Sequence, residues 1–266
     1  DTLTLDQTQA SKTQPVGGDF AWLFATTQAE QRGEEFSPLW NRLPPPLIRE
    51  GLKVQTPWLT AFFKDPYPIR PAVNLRMPRF HYSEETGPKG DEPSGLANYF
   101  AAVDNAEFPY QTIPERTQAY LAEQESKHQG YLGAGWTMMT AKASPCISCH
   151  AIGQFKPTGG ATVVNGPDLR QVGNRFRPGF LQEWLAKPSR LIPYTAMPQN
   201  IAPRGPAQIP IPSSFEEKPL DQVTVIRDTL LNYVNAVEQQ LAANPGEPKA
   251  PATPEPAVAK PTGGSE

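Results

Sequence analysis

The nine residues Trp58-Leu-Thr-Ala-Phe-Phe-Lys-Asp-Pro66 return in altered form as Phe180-Leu-Gln-Glu-Trp-Leu-Ala-Lys-Pro188, an offset of 122 residues. The match puts Leu59 on Leu181, Phe62 on Trp184 and Phe63 on Leu185. Without a gap it also puts Pro45 on Pro167, Leu47 on Leu169, Gly51 on Gly173 and Pro71 on Pro193. Further on, Arg76-Met77-Pro78 answers Ala196-Met197-Pro198 after a two-residue slip, and Leu96-Ala-Asn-Tyr-Phe-Ala-Ala-Val103 answers Leu230-Leu-Asn-Tyr-Val-Asn-Ala-Val237. An internal repeat of this length means two copies of one folding unit rather than two unrelated folds. The expected units are 1–112 and 113–243, each of ordinary domain size. The 32 prolines call for short helices separated by restrained loops. From Asn244 to Glu266 the chain is Pro, Ala, Glu and Gly with almost no large apolar residue, too little to offset its ordering entropy. We read it as a tail that lies along a neighbouring subunit.

One short stretch occurs in the second copy alone. Ser144-Pro-Cys-Ile-Ser-Cys-His150 contains both cysteines of the chain and one of its three histidines. A Cys-x-x-Cys pair serves as a dithiol centre, half of a zinc site, a disulfide or, when His follows at once, a covalent haem anchor. The flanks lack the strand-helix-strand alternation of a thioredoxin-like centre. Zinc needs four ligands, and only His81 and His128 remain among Cys and His, neither at finger spacing. The haem reading uses all three residues: two thiols for thioethers and the imidazole for the iron. A second axial ligand is then required, and Met197 is the only methionine downstream of the motif. Met138 and Met139 precede the cysteines too closely to cross the haem and are expected in the core.

Through Cys146-Ile-Ser-Cys-His150, Gly166-Pro-Asp-Leu169, Phe180 to Pro188, Ala196-Met-Pro198 and the closing segment with Leu230-Leu-Asn-Tyr-Val234, the chain resembles the class I c-type cytochromes over about 110 residues. The resemblance implies a mainly α fold of two tandem cytochrome c-like domains, with one covalent haem c ligated by His150 and Met197. It also implies that the carbonyl of Pro167 accepts a hydrogen bond from the proximal imidazole, and that a last helix, Asp221 to Leu241, crosses the first. Val223, Ile226, Leu230, Val234 and Val237 share one face of that helix, with Asp221 as its cap.

In the first copy the offset places Phe24, Thr27 and Gln28 on Cys146, Cys149 and His150, and no cysteine precedes Cys146. The first copy therefore carries no covalent haem. We expect Phe20, Trp22, Phe24 and Trp40 to refill its pocket and Met77 to remain as structure.

The chain is slightly acidic, with net charge −3, yet Gly130 to Pro210 contains eight Lys and Arg against Asp168 and Glu183. Arg175 and Arg177 are candidates to hold a haem carboxylate, and the local basicity favours an acidic redox partner. The cations are too sparse for a nucleic-acid surface. No apolar stretch reaches the ~20 residues of a membrane span, and the start lacks the regions of a signal peptide. A soluble or peripheral chain is expected, numbered from a processed start. The resemblance implies a periplasmic or other extracytoplasmic setting, with haem attachment completed there. The expected function is electron transfer within a respiratory, photosynthetic or other membrane-associated redox complex, with the haemless copy as docking scaffold. The alternatives are a haem subunit of an oxidoreductase enzyme and a mainly structural subunit.

Overall fold

The computed structural model describes residues 18–33, 47, 49–71, 77–82, 91–107, 112–142, 144–153, 155–160, 165–192, 195–201 and 209–243. Among them the chain is mainly α-helical, with isolated β-bridges in place of strands. The first half gives α1 (Gly18–Arg32), α2 (Glu50–Lys53), α3 (Thr56–Lys64) and α4 (Glu92–Val103). The second gives α5 (Gln118–Lys127), α6 (Tyr131–Thr140), α7 (Cys146–Cys149), α8 (Val172–Arg175), α9 (Pro178–Ala186), α10 (Pro188–Leu191), α11 (Pro219–Leu231) and α12 (Tyr233–Ala243). Proline stands in the first two positions of α3, α4, α9, α10 and α11. Its missing N–H costs nothing there, and its fixed φ suits a helix start.

Two cores form. The smaller gathers Val54, Leu59, Phe63 and Ala97, with Met77, Trp58 and Phe100 against them. The larger runs from Ile113 to Ala236 and contains Met138 and Met139, both essentially sealed from solvent. Phe176 touches both cores. The repeated helices α3 and α9 each stack an aromatic pair one turn apart: Trp58 on Phe62 at 4.9 Å between ring centroids, and Phe180 on Trp184 at 6.0 Å.

The copies meet at a seam that obeys the repeat. Val54 and Phe176, which are counterparts, form an antiparallel bridge. The Gln55 N–H donates to Arg175 O (2.8 Å), and the Arg177 N–H donates to Lys53 O (3.0 Å). Exchanging the copies turns one bond into the other, so the bridge lies on a local two-fold axis. Side chains follow suit: Gln55 Nε2 donates to Phe176 O (2.7 Å), and Arg177 Nε donates to Val54 O (2.9 Å).

The repeat also corrects the sequence match of the closing helices. A Cβ on Gly51 would run into the Phe100 carbonyl and Ala101 Cα of α4; one on Gly173 would run into the Leu230 carbonyl and Leu231 Cα of α11. Phe100 therefore corresponds to Leu230, one helical turn earlier than the Leu96-to-Leu230 alignment. A slip of four residues keeps a helical face in phase, so apolar pattern alone does not fix it.

In the second half α6 crosses α11 where Gly135 meets Thr229 and the Val225 carbonyl. Ile226 and Thr229 are buried beneath it. The same face of α4, by this register, carries Leu96, Tyr99 and Val103, which are 43%, 62% and 63% exposed. Phe24, Thr27 and Gln28 lie within the uninterrupted α1. The refilling side chains Phe20, Trp22, Phe24 and Trp40 fall outside the described residues.

The expected single helix from Asp221 to Leu241 is broken at Asn232, which has φ −111° and ψ 35°. Asn232 Nδ2 donates back to Asp228 O (2.9 Å) and across to Glu115 O (3.0 Å), while Arg116 Nε takes the Leu231 carbonyl (2.9 Å). The Arg116 side chain thus satisfies a carbonyl that a continuing helix would use, while Asp228 O keeps its helical donor, the Asn232 N–H. The break turns Val234 outward, 53% exposed, whereas Val223, Ile226 and Leu230 are buried. Asp221 is in the first turn rather than at the cap, a position occupied by Lys218.

Asp228, fully buried, accepts the hydroxyls of Tyr120 and Tyr131 at 2.8 Å each on Oδ2, and Arg227 Nε at 2.8 Å on Oδ1. Burial, then the Asp228 carboxylate, pushes the Tyr131 phenol well above its usual value; burial first, then the hydrogen bond to Asp228, does the same for Tyr120. A phenol raised in the folded state contributes its full stability below the unfolded value of about 10 and loses it as pH climbs beyond. Denaturant melts should show alkaline loss of stability starting near pH 10. Tyr131→Phe should flatten that slope and cost about 1–3 kcal/mol at neutral pH. Gly173→Ala, read in the same melts, should cost about 1–3 kcal/mol by overpacking against α11.

Candidate functional site

Pro145 opens the single turn of α7, and three-residue spacing brings the Cys146 and Cys149 thiols to the same side of it. Ile147, between them, is buried and anchors the turn. Both cysteines are free thiols. Burial pushes each thiol up; for Cys146 a hydrogen bond with Ser144 acts in the opposite direction.

The chain leaves the turn at His150 in an extended conformation. The following loop is strapped to it by backbone bonds. Thr158 N–H donates to Ile147 O (2.9 Å), Gly159 N–H to Ser148 O (3.0 Å), Gly166 N–H to Cys149 O (2.8 Å) and Leu169 N–H to Ala151 O (2.9 Å). These straps deliver Pro167 O to 2.7 Å from His150 Nδ1. A carbonyl only accepts, so Nδ1 carries the proton and Nε2 keeps its lone pair. Desolvation lowers the imidazole pKa, against the opposing pull of the Pro167 bond and Asp168, and keeps the ring neutral. Asp168 in turn is held by the Arg170 N–H (2.9 Å) and guanidinium (2.6 Å).

Gly166 lies flat against the ring. A Cβ there would collide with three of its atoms, Cε1, Nδ1 and Nε2. The donor set therefore fits a haem attached through two thiols and ligated through Nε2: the thiols share one turn, the imidazole is neutral, and its other nitrogen is fixed by a carbonyl.

Of the sequence-derived residues, Cys146, Cys149, His150 and Pro167 come together. Met197 is half-buried, its N–H donating to the Thr195 hydroxyl (3.2 Å), and no described contact joins it to His150. Arg177 requires a correction. Besides Val54 O, its guanidinium donates to Thr56 Oγ1 and Glu107 O, both at 3.2 Å, so it belongs to the seam rather than to a haem carboxylate. The two-fold bridge turns it there. Arg175 lies over Trp58, 5.0 Å from the ring centroid, and over Phe176 at 4.6 Å. The contribution of Gly166 was not anticipated from sequence, although a Gly beside the proline that faces the histidine is the available signal.

No protein-family model, curated protein or solved structure matches the chain. Among the described residues no helix is long and apolar enough to cross a membrane.

Gly166→Ala should displace the imidazole and lengthen its bond to Pro167 O. The measurement is the His150 Nδ1 proton resonance by NMR, with loss of the hydrogen-bonded signal expected and an unchanged signal counting against the close packing.

Proposed function

We propose that this chain is a single-electron carrier with one covalent haem c in its second half, joined through Cys146 and Cys149 and ligated by His150 and Met197. The observation that carries the reading is the 2.7 Å contact of His150 Nδ1 with Pro167 O, directly after a turn bearing two free thiols. When bound, the haem supplies a redox centre that gains and loses one electron without bond making. The protein's residues do the rest. The Pro167 carbonyl fixes the imidazole orientation and raises its basicity, and Gly166 gives the ring room to stand in that plane. Ile147 and Leu169 exclude water from the anchor, since both are buried.

The first half, which lacks thiols and a histidine at the corresponding positions, acts as a docking scaffold. What supports this is the exposed apolar face of α4, whose counterpart on α11 receives a helix; a helix of a partner subunit is the occupant that the same crossing geometry suits. The setting is a membrane-associated redox complex in an extracytoplasmic compartment, where haem attachment is completed.

The purified chain should show the spectrum of a low-spin haem with a far-red methionine-to-iron band. Met197→Ala should abolish that band while Cys146 and Cys149 keep the haem covalently bound in denaturing gels. A high-spin ferric spectrum in the unmodified protein would favour catalysis at an open iron, and a chain isolated without covalent haem would overturn the proposal.

A further inference from the structure

The face that α4 turns to solvent has a pattern of its own. Gly95, Leu96, Tyr99, Ala102 and Val103 are all exposed, and none is charged. On a helix of 3.6 residues per turn they form one stripe about 120° wide, centred on Tyr99. Gly95 and Ala102 run along one edge of it, Leu96 and Val103 along the other. The space above Gly95 is open, since a Cβ built there meets no atom within 4 Å. Tyr99 is held in place: its ring stands edge-on to Phe100 at 5.9 Å between centroids, and Phe100 packs against the smaller core. A side chain fixed beforehand loses little freedom when it docks. The counterparts on α11, Val225, Ile226 and Thr229 among them, are buried, and there the small residue of the crossing is Gly135, supplied by α6. On α4 small and large residues share the one exposed stripe.

We propose that α4 pairs with α4 of a second copy of this chain, antiparallel about a two-fold axis at Tyr99. Residues seven apart return to nearly the same side of a helix. A half-turn about that axis therefore brings Gly95 onto Ala102 of the second copy and Leu96 onto Val103 of the second copy. The small edge lets the two backbones approach, and the large edge closes the apolar surface. Long helical side chains lean over the turn on their N-terminal side. In an antiparallel pair that turn faces the C-terminal turn of the opposite helix, so each Tyr99 ring lies over Ala102 of the other copy and the two rings pass one another. An uncharged stripe gives an acidic or basic partner nothing to pair with, whereas it matches itself in both size and polarity. Five residues are few beside the roughly 20–30 per side of a standard interface, so the pairing is reversible and depends on concentration. This inference rests on the docking role given to α4 above and names the partner for it.

Sedimentation equilibrium of the purified full-length chain, over a wide range of concentration, should show a monomer–dimer equilibrium. Tyr99→Glu should raise its dissociation constant by about thirtyfold, the effect of losing a central aromatic anchor. Val103→Asp should weaken it in the same direction; both side chains are more than half exposed, so neither substitution disturbs the core. Cross-linking reads the register. Under mild oxidation, a mixture of Leu96→Cys and Val103→Cys chains should form a disulfide-linked pair faster than either variant alone, with the unmodified chain as the control for Cys146 and Cys149. Faster linkage of Leu96→Cys to itself would overturn the antiparallel arrangement. A chain that stays monomeric throughout, or a dimer that both substitutions leave unchanged, overturns the proposal. A monomer that binds a different subunit through this face would refute self-pairing and leave the docking role standing. Covalent haem, read from denaturing gels, decides the carrier reading separately.

Discussion

Four hydrogen bonds around Val54 and Phe176 hold the two halves in register. Each replaces a contact with water, and a neutral intramolecular bond contributes only about 0.5–1.5 kcal/mol net. Their importance is geometric. Two join backbone to backbone and two reach from a side chain to the opposite carbonyl, and together they fix where the flanking side chains must point. Arg177 is carried into the seam, Arg175 is laid on Trp58, and Gln55 reaches over to α8, where Gly173 O accepts it at 2.6 Å. That same carbonyl also accepts from Arg116 at 2.7 Å, and Arg116 secures the end of α11. A single carbonyl thus links the seam to the helix that closes the larger core.

The anchor turn is built on a comparable principle. A four-residue helix has no stability of its own. It persists here because Ile147 is buried and because the loop after it returns four backbone donors to carbonyls of the 147–151 stretch. The imidazole orientation follows from that strapping rather than from the motif itself. A similar division of labour exists around Asp228. Tyr120, Tyr131 and Arg227 satisfy a carboxylate that burial would otherwise penalise, and they tie α5, α6 and α11 together at one point.

The repeat and the motif were legible because they depend on residue identity at fixed spacing. The Pro167 contact followed from the cytochrome resemblance. What was not legible depended on the backbone. The one-turn register of α4 against α11 is invisible to a helical pattern that repeats every turn, and only the glycine contacts decide it. The break at Asn232 is held by the Glu115 carbonyl and the Arg116 guanidinium, far away in sequence, so the apolar face continued through Val234 on paper and does not in the fold. Arg177 read as a candidate to hold a haem carboxylate, but its guanidinium donates to Val54 O, Thr56 Oγ1 and Glu107 O across a bridge whose existence no local sequence announces.

A seam that maps onto itself when the two copies are exchanged has the form of an isologous homodimer contact, here made within one chain. Joining the partners covalently frees the contact from dependence on protein concentration. It also ends the requirement that both sides stay alike. A homodimer must place every substitution twice, whereas a fused pair can keep Gln55 on one side of its axis and Arg177 on the other, each reaching for the opposite carbonyl. The same licence allows one half to keep its thiols while the other holds an unbroken helix over Phe24 to Gln28.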